Sequence, residues 1–101
     1  MIYLTQLIYI YPGREAILDE FEARAIPLIA HYNGKLEFRI RPDAASVIEA
    51  GGEVPYEVHL VSFPSDADFQ RFVQDKTRQQ FLHLKEQAIR TSLLVKGQLV
   101  G

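Results

Sequence analysis

The stretch Pro55–Phe72, PYEVHLVSFPSDADFQRF, constrains the fold most, because it reads as a strand running straight into a capped helix. Tyr56 to Phe63 is rich in β-branched and aromatic residues, which suit a pleated, half-buried surface. Tyr56, Val58 and Leu60 share one face, and Val61 and Phe63 share the other. A strand apolar on both faces belongs inside a sheet. Pro64 lacks an N–H and ends the ladder. Ser65 stands three residues before Asp68, the spacing of a capping box, and Phe69, Phe72 and Val73 follow at helical spacing.

The rest of the chain arranges itself around that interior strand. Ile2 to Tyr11 reads as the first strand, with Ile2, Leu4, Ile8 and Ile10 on one face and Tyr3, Thr5, Leu7, Tyr9 and Tyr11 on the other. Pro12-Gly13 ends it. Arg14 to Tyr32 carries one apolar stripe through Ile17, Leu18, Phe21, Ala25, Leu28, Ile29 and Tyr32, with Glu15, Asp19, Glu22 and Arg24 expected outside. Pro27 lies within this pattern and is expected to kink or split the helix near Ala23–Ile26. Asn33-Gly34 supplies the left-handed residue that ends it.

Lys35 to Arg41 alternates strictly. Leu36, Phe38 and Ile40 point one way and Lys35, Glu37, Arg39 and Arg41 the other. Asp43 to Ala50 fits either a short helix capped by Asp43 or a short strand, and Gly51-Gly52 is a turn. After a break at Asp75 to Thr77, a helix is expected over 78–90 and a last strand over Ser92–Val100.

The order is β-α-β-β-α-β, and its fold class is α+β. Right-handed crossovers make it a ferredoxin-like split βαβ sandwich, a four-stranded antiparallel sheet with helices on one face. The uncovered face would still carry much apolar surface, so a partner is implied, most simply a second copy. The 101 residues form a single domain, 1–101. Net charge is −2 with no run of Lys or Arg, which argues against nucleic acid. The absence of cysteine excludes disulfides and thiolate metal sites. Apolar runs fall well short of the ~20 residues that span a bilayer, so no membrane is expected. The opening MIYLTQLIYIYPG lacks a basic n-region and an A-x-A site, which leaves a cytoplasmic location as the expectation.

Several segments resemble the DUF1330 family of dimeric α/β-barrel proteins. Pro27 to Gly34, PLIAHYNG, is similar to that family's helix end. Val47-Ile48-Glu49 resembles its Val-Leu-Glu-Gly segment, and Val61 to Ser65 its Ile-Glu-Phe-Pro-Ser. Phe81 to Gly97 resembles its closing helix and strand. The resemblance implies ferredoxin-like monomers paired sheet to sheet, and no established activity. The family's strand-two arginine falls on Arg39 counted from Tyr32, or on Arg41 counted from Glu49. Its glutamate before Phe-Pro-Ser is replaced by Ser62.

The candidate chemistry is sparse. Of His31, His59 and His83, no pair has the spacing of a two-His metal site, so neither metal nor cofactor is expected. His31 at a helix end suits the dipole there, and His83 reads as surface. His59 shares a strand face with Glu57 and is either a hydrogen-bonded core histidine or a cavity base. Arg39 and Arg41 read as inter-subunit ion pairs or as an anchor for an anionic ligand, with Glu49 and Ser62 beside them as ligand-binding candidates. Two functions follow. One, implied by the resemblance to the wider dimeric α/β-barrel superfamily with its monooxygenases and isomerases, is a small cofactor-independent enzyme acting on an enolisable or aromatic metabolite, with His59 or Tyr56 as acid or base in the dimer barrel. The other is a non-catalytic dimer that binds a small ligand or a protein. A polar, accessible pocket reaching these residues would favour the first.

Overall fold

Strand β1 (Ile2–Ile10) lies at the middle of a four-stranded sheet in the order β2-β3-β1-β4, in the computed structural model, which describes residues 1–101. β3 (Glu57–Phe63) and β4 (Ile89–Gly97) flank it, and β2 (Lys35–Ile40) is the edge beyond β3; every pairing is antiparallel. The interior position read from the two-faced apolar pattern of β3 is the one observed. Between the strands lie α1 (Glu15–His31), α2 (Asp66–Val73), α3 (Lys76–Gln79) and α4 (Leu82–Ala88). No helix is long and apolar enough to cross a membrane.

Register decides what each face carries. Ile2, Leu4 and Ile8 of β1 stand opposite Phe63, Val61 and Glu57 of β3, and this face lies under the helices. The core is built there: Ile2, Leu4, Ile29 and Phe63 pack together, and Ile8, Leu18 and Ala88 form a second group. Phe21, Ala25 and Phe81 join α1 to α4, with Phe21 and Phe81 edge to face at 6.2 Å. Ser65 caps α2 as expected, accepting from the Asp68 N–H at 3.1 Å.

Apart from the helix expected over 78–90, which is instead two short helices, α3 and α4, with α3 starting inside the break expected at Asp75 to Thr77, three expectations need correction. α1 is one helix and is not split at Pro27; its stripe on either side, Phe21, Ala25 and Ile29, is buried against the core and holds it together. The segment after Pro42 is a single 3₁₀ turn, Ala44–Ser46, in which Asp43 and Ser46 cap each other reciprocally. The third correction matters for function. β2 does not alternate, because Leu36 pairs with Val61 but Phe38 pairs with Leu60, which leaves Glu37 as an extra residue in a β-bulge. Past the bulge the parity inverts. Phe38 and Ile40 face away from the helices, and Arg39, opposite His59, turns beneath them with Arg41.

The other face of the sheet has no cover. Tyr3, Leu7, Val58 and Leu60 lie there, with Phe38, Ile40, Leu93 and Val95 between 45% and 53% exposed. The molecule measures 38 × 36 × 17 Å, the thickness of one sheet and one helical layer.

Gly34 follows the left-handed Asn33 (φ 65°) and passes close beneath the core: a Cβ there would stand 2.5 Å from Phe63 Cε1 and 2.7 Å from Ile29 Cγ2. Gly34→Ala is therefore expected to destabilise by about 1–3 kcal/mol through overpacking. Phe63→Ala, a truncation at the centre of the same cluster, should cost about 3–5 kcal/mol. Urea unfolding of the two variants checks both values.

Candidate functional site

Parity along β3 carries Glu57 and His59 under the helices, on the face of Val61 and Phe63. α1 carries Glu22 to the same place. Leu18, Glu22, Ala25 and Ile29 fall at i, i+4, i+7 and i+11, one face of a helix, and all four are buried. Glu22 therefore lies inside, not on the outer face where its charge suggested. Its exposure is 3%, against 0% for Glu57 and 7% for His59.

His59 Nε2 stands 2.6 Å from Glu57 Oε2 and 2.8 Å from Glu22 Oε2. Of these two contacts, the one to Glu57 has hydrogen-bond geometry. Glu57 Oε1 in turn accepts from Arg41 Nε at 2.7 Å and Arg39 Nε at 3.1 Å. Arg41 also binds Asp19 on α1, and its guanidinium lies over the Tyr56 ring at 5.0 Å. Glu22 has guanidinium nitrogens at 3.5 and 3.8 Å from Oε1, but neither of its buried oxygens has a hydrogen-bond partner. Three carboxylates thus meet two guanidiniums and one imidazole, and the cluster is neutral when His59 is protonated.

Each titration follows from this geometry. Burial raises the Glu22 carboxyl above its ordinary value; Glu57 alongside adds to the effect, and His59 offsets only part of it. Burial opposes ionisation of Glu57 too, but its hydrogen bonds with His59 and Arg41 outweigh it and hold that carboxyl well below the usual range. Burial works against the charged form of His59, yet the carboxylates of Glu22 and Glu57 against Nε2 push it from 6.5 up to about 9. At neutral pH His59 is an imidazolium, with Nδ1 outside the carboxylate network. Burial raises the Tyr56 hydroxyl as well.

A cavity of about 120 Å³ opens beside this cluster, between the sheet and the helices. Its wall is mainly apolar, and its polar residues are Gln6, Glu22, His59, Arg78 and Lys85. His59 thus joins the two roles left open by its sequence position: it is buried and hydrogen-bonded, and it lines a cavity. The other sequence candidates lie elsewhere. Arg39 and Arg41 neutralise the carboxylates and do not line the cavity; the bulge at Glu37 turned them away from the open sheet face. Tyr56 packs beside Ile8, Leu18 and Ala88 under Arg41, outside the cavity wall. Ser62 is on the opposite face of the sheet, donating to Glu37 Oε1 at 2.7 Å. Glu49 is exposed in the irregular segment before β3, and His31 and His83 are exposed on α1 and α4.

Glu22, Arg78 and Lys85 were missed. Glu22 and Lys85 had a legible signal, since each falls in register with an apolar stripe. Lys85 is four residues after Phe81 and three before Ala88. Arg78 sits beyond a helix break and had none.

Residues distant in sequence also create a possible ligand set, which spacing alone did not anticipate. Glu22, Glu57 and His59 offer three ligand atoms within 4.8 Å of one another. Their chemistry fits a proton better than an ion. Ligands around a tetrahedral zinc at about 2.1 Å stand roughly 3.4 Å apart, whereas these contacts are at hydrogen-bond length, and two guanidiniums already occupy the adjacent positions.

No family model and no curated protein matches the sequence. Solved structures do. A protein of unknown function from Rhodopseudomonas palustris superposes with a TM-score of 0.83 at 17% identity, over 99% of this chain and 82% of that one. A DABB family protein with a ferredoxin-like fold, from Mesorhizobium loti, gives 0.68 at 13% identity, over 99% and 97%. The chain has a ferredoxin-like fold. An uncharacterized NIPSNAP domain protein from Burkholderia xenovorans has the same ferredoxin-like architecture, with a TM-score of 0.73 at 14% identity, over 99% and 95%. At these identities the likeness is one of fold.

Within the ferredoxin-like domain, folded His59 holds a proton that an unfolded histidine releases near 6.5. Its contribution to stability is fully present below pH 6.5 and is lost as the pH rises to about 9. The unfolding free energy should fall across that window by at most ~1.4 kcal/mol per pH unit, and His59→Gln should flatten the slope. Urea melts at several pH values measure it; a wild-type profile flat from pH 6.5 to 9 would show that folded His59 is uncharged.

Proposed function

We propose that the chain is a DUF1330-like dimeric protein that binds a small enolisable molecule beneath β3 and moves a proton on it without a cofactor. The observation that carries this reading is the cavity of about 120 Å³ whose wall holds both Glu22 and His59. Glu22 is suited to act as general base. Its oxygens lack partners, and burial makes its carboxylate a stronger base. His59 is suited to act as general acid through Nδ1, since Nε2 is held by Glu57. Glu22 takes a proton from carbon next to a carbonyl, and His59 gives a proton to the carbonyl oxygen. The neutral enol then forms. Where the molecule carries a β,γ double bond, this enol is a dienol: Glu22 returns its proton to the γ carbon, the enol O–H proton goes back to His59, and the product is the α,β-unsaturated isomer. Arg39, Arg41 and Glu57 hold the pair in position and keep its charge balanced.

The dimer belongs to the same reading. Phe38, Ile40, Leu93 and Val95 form an apolar surface on the open sheet face that a second copy would cover, sheet against sheet. The cavity lies on the helical side of the sheet, so in this reading each subunit carries its own site.

A second, non-catalytic reading is favoured by the ion pairs themselves, because a cluster so fully tied could serve structure alone and leave the cavity for binding. Proton NMR in D₂O separates the two. Wild-type protein incubated with a panel of small ketones and oxo acids should catalyse exchange of an α-proton for deuterium. Glu22→Gln should lower that rate by at least about 100-fold. No exchange across the panel would leave the non-catalytic reading.

Sedimentation at micromolar concentration should give a dimer, and Leu60→Lys should aggregate or unfold. A stable wild-type monomer would remove the dimer and leave the single-subunit site untouched.

A further inference from the structure

The proton-transfer pair leaves two cations on the cavity wall without a task. Arg78 of α3 and Lys85 of α4 both line the cavity, and neither makes an ion pair within 4.0 Å. Arg78 Nε is buried with no hydrogen-bond partner. Its guanidinium stacks over the Phe72 ring at 5.1 Å, and its one side-chain bond is a long one, Nη1 to the Val73 carbonyl at 3.4 Å. Burial lowers the Lys85 ammonium, and the charge of Arg78 lowers it further, so the two cations sense each other. The acid closest in sequence to Arg78 is engaged elsewhere: Asp75 accepts from the Tyr32 hydroxyl and from the Arg78 backbone N–H. Two neighbouring cations in an apolar wall, one with an unsatisfied donor, are unfavourable by themselves. A bound anion removes that penalty.

We propose that Arg78 and Lys85 form an anion subsite, so that the molecule held in the cavity is a small monocarboxylate, apolar apart from the carbonyl on which the proton-transfer pair acts. This rests on the reading of the cavity as a small-molecule site and names its ligand class. The carboxylate meets the two cations, with the planar guanidinium offering paired donors. The hydrocarbon part lies along Phe63 and Phe72 and carries its carbonyl towards Glu22 and His59. Size narrows the class. An apolar cavity of about 150 Å³ accepts benzene, so about 120 Å³ accepts a ligand of comparable or smaller bulk, a short branched acid and not a fatty acid or a nucleotide. Inorganic phosphate is a weaker fit, because it has no apolar part to displace water from this wall.

Titration of the protein with 3-methylbutanoate, followed by NMR through the Arg78 Nε–Hε signal, tests the subsite. The signal should shift and saturate. The neutral isostere 3-methylbutanamide should bind at least about tenfold more weakly, the loss expected for one charge-assisted hydrogen bond. Arg78→Gln and, independently, Lys85→Met should each weaken 3-methylbutanoate binding by at least about tenfold, and His83→Gln on the exposed side of α4 should leave it unchanged. Amide or phosphate bound as tightly as the acid, full affinity in Lys85→Met, or no binding to wild type would overturn the proposal. Acid binding without deuterium exchange would leave the subsite standing and remove the proton-transfer reading.

Discussion

A wholly buried carboxylate is the constraint on which the sheet depends. Glu57 has no solvent to stabilise its charge, and an uncompensated charge in that position costs several kcal/mol. Compensation comes from three directions: His59 two residues along the same strand, and Arg39 and Arg41 from the neighbouring edge. The bulge at Glu37 makes the last two available. Had β2 kept its alternation, Phe38 and Ile40 would lie beneath the helices, and both arginines would be on the far face. One inserted residue exchanges two apolar side chains for two guanidiniums.

That exchange has consequences on both sides of the sheet. Beneath the helices, the arginines, Asp19 and Glu57 hold Glu22 and His59 at the margin of an apolar cavity. Burial raises the titration of the Glu22 carboxylate, and the two carboxylates raise that of the imidazole. On the open face, the displaced Phe38 and Ile40 extend the apolar surface begun by Tyr3, Leu7 and Leu60. Polar interior and apolar exterior at this edge of the molecule have a common origin.

The helical layer closes the cavity unevenly. α1 is long and supplies both core and chemistry from a single stripe, whereas the cover on the other side is divided among α2, α3 and α4. Phe69 and Phe72 of α2 pack on Phe63, and Phe81 packs on Phe21, so the two ends of the layer are filled. Arg78 and Lys85 come from the divided part, where short helices leave side chains room to line a space instead of filling it.

Element order was legible from residues alone. Breakers at Pro12-Gly13, Asn33-Gly34 and Pro64, a cap at Ser65, and apolar stripes of period two or near 3.6 mark the strands and the first two helices through local backbone preference, whereas the division of the last helical stretch into α3 and α4 carries no such mark. The interior place of β3 was legible too, since only an inner strand has use for two apolar faces. The partnership of His59 with Glu57 followed from strand parity. Face assignments beyond a bulge were not, because a single unpaired residue has no signature in the alternation yet reverses everything after it. Nor was the inward turn of Glu22, whose charge argued for solvent while its spacing argued for the core. Its buried position is tolerable only beside arginines contributed from another strand. Local preference therefore determined the elements. Charge compensation between residues far apart in the chain decided which of them meet in a site, and that balance exists only once the sheet has closed.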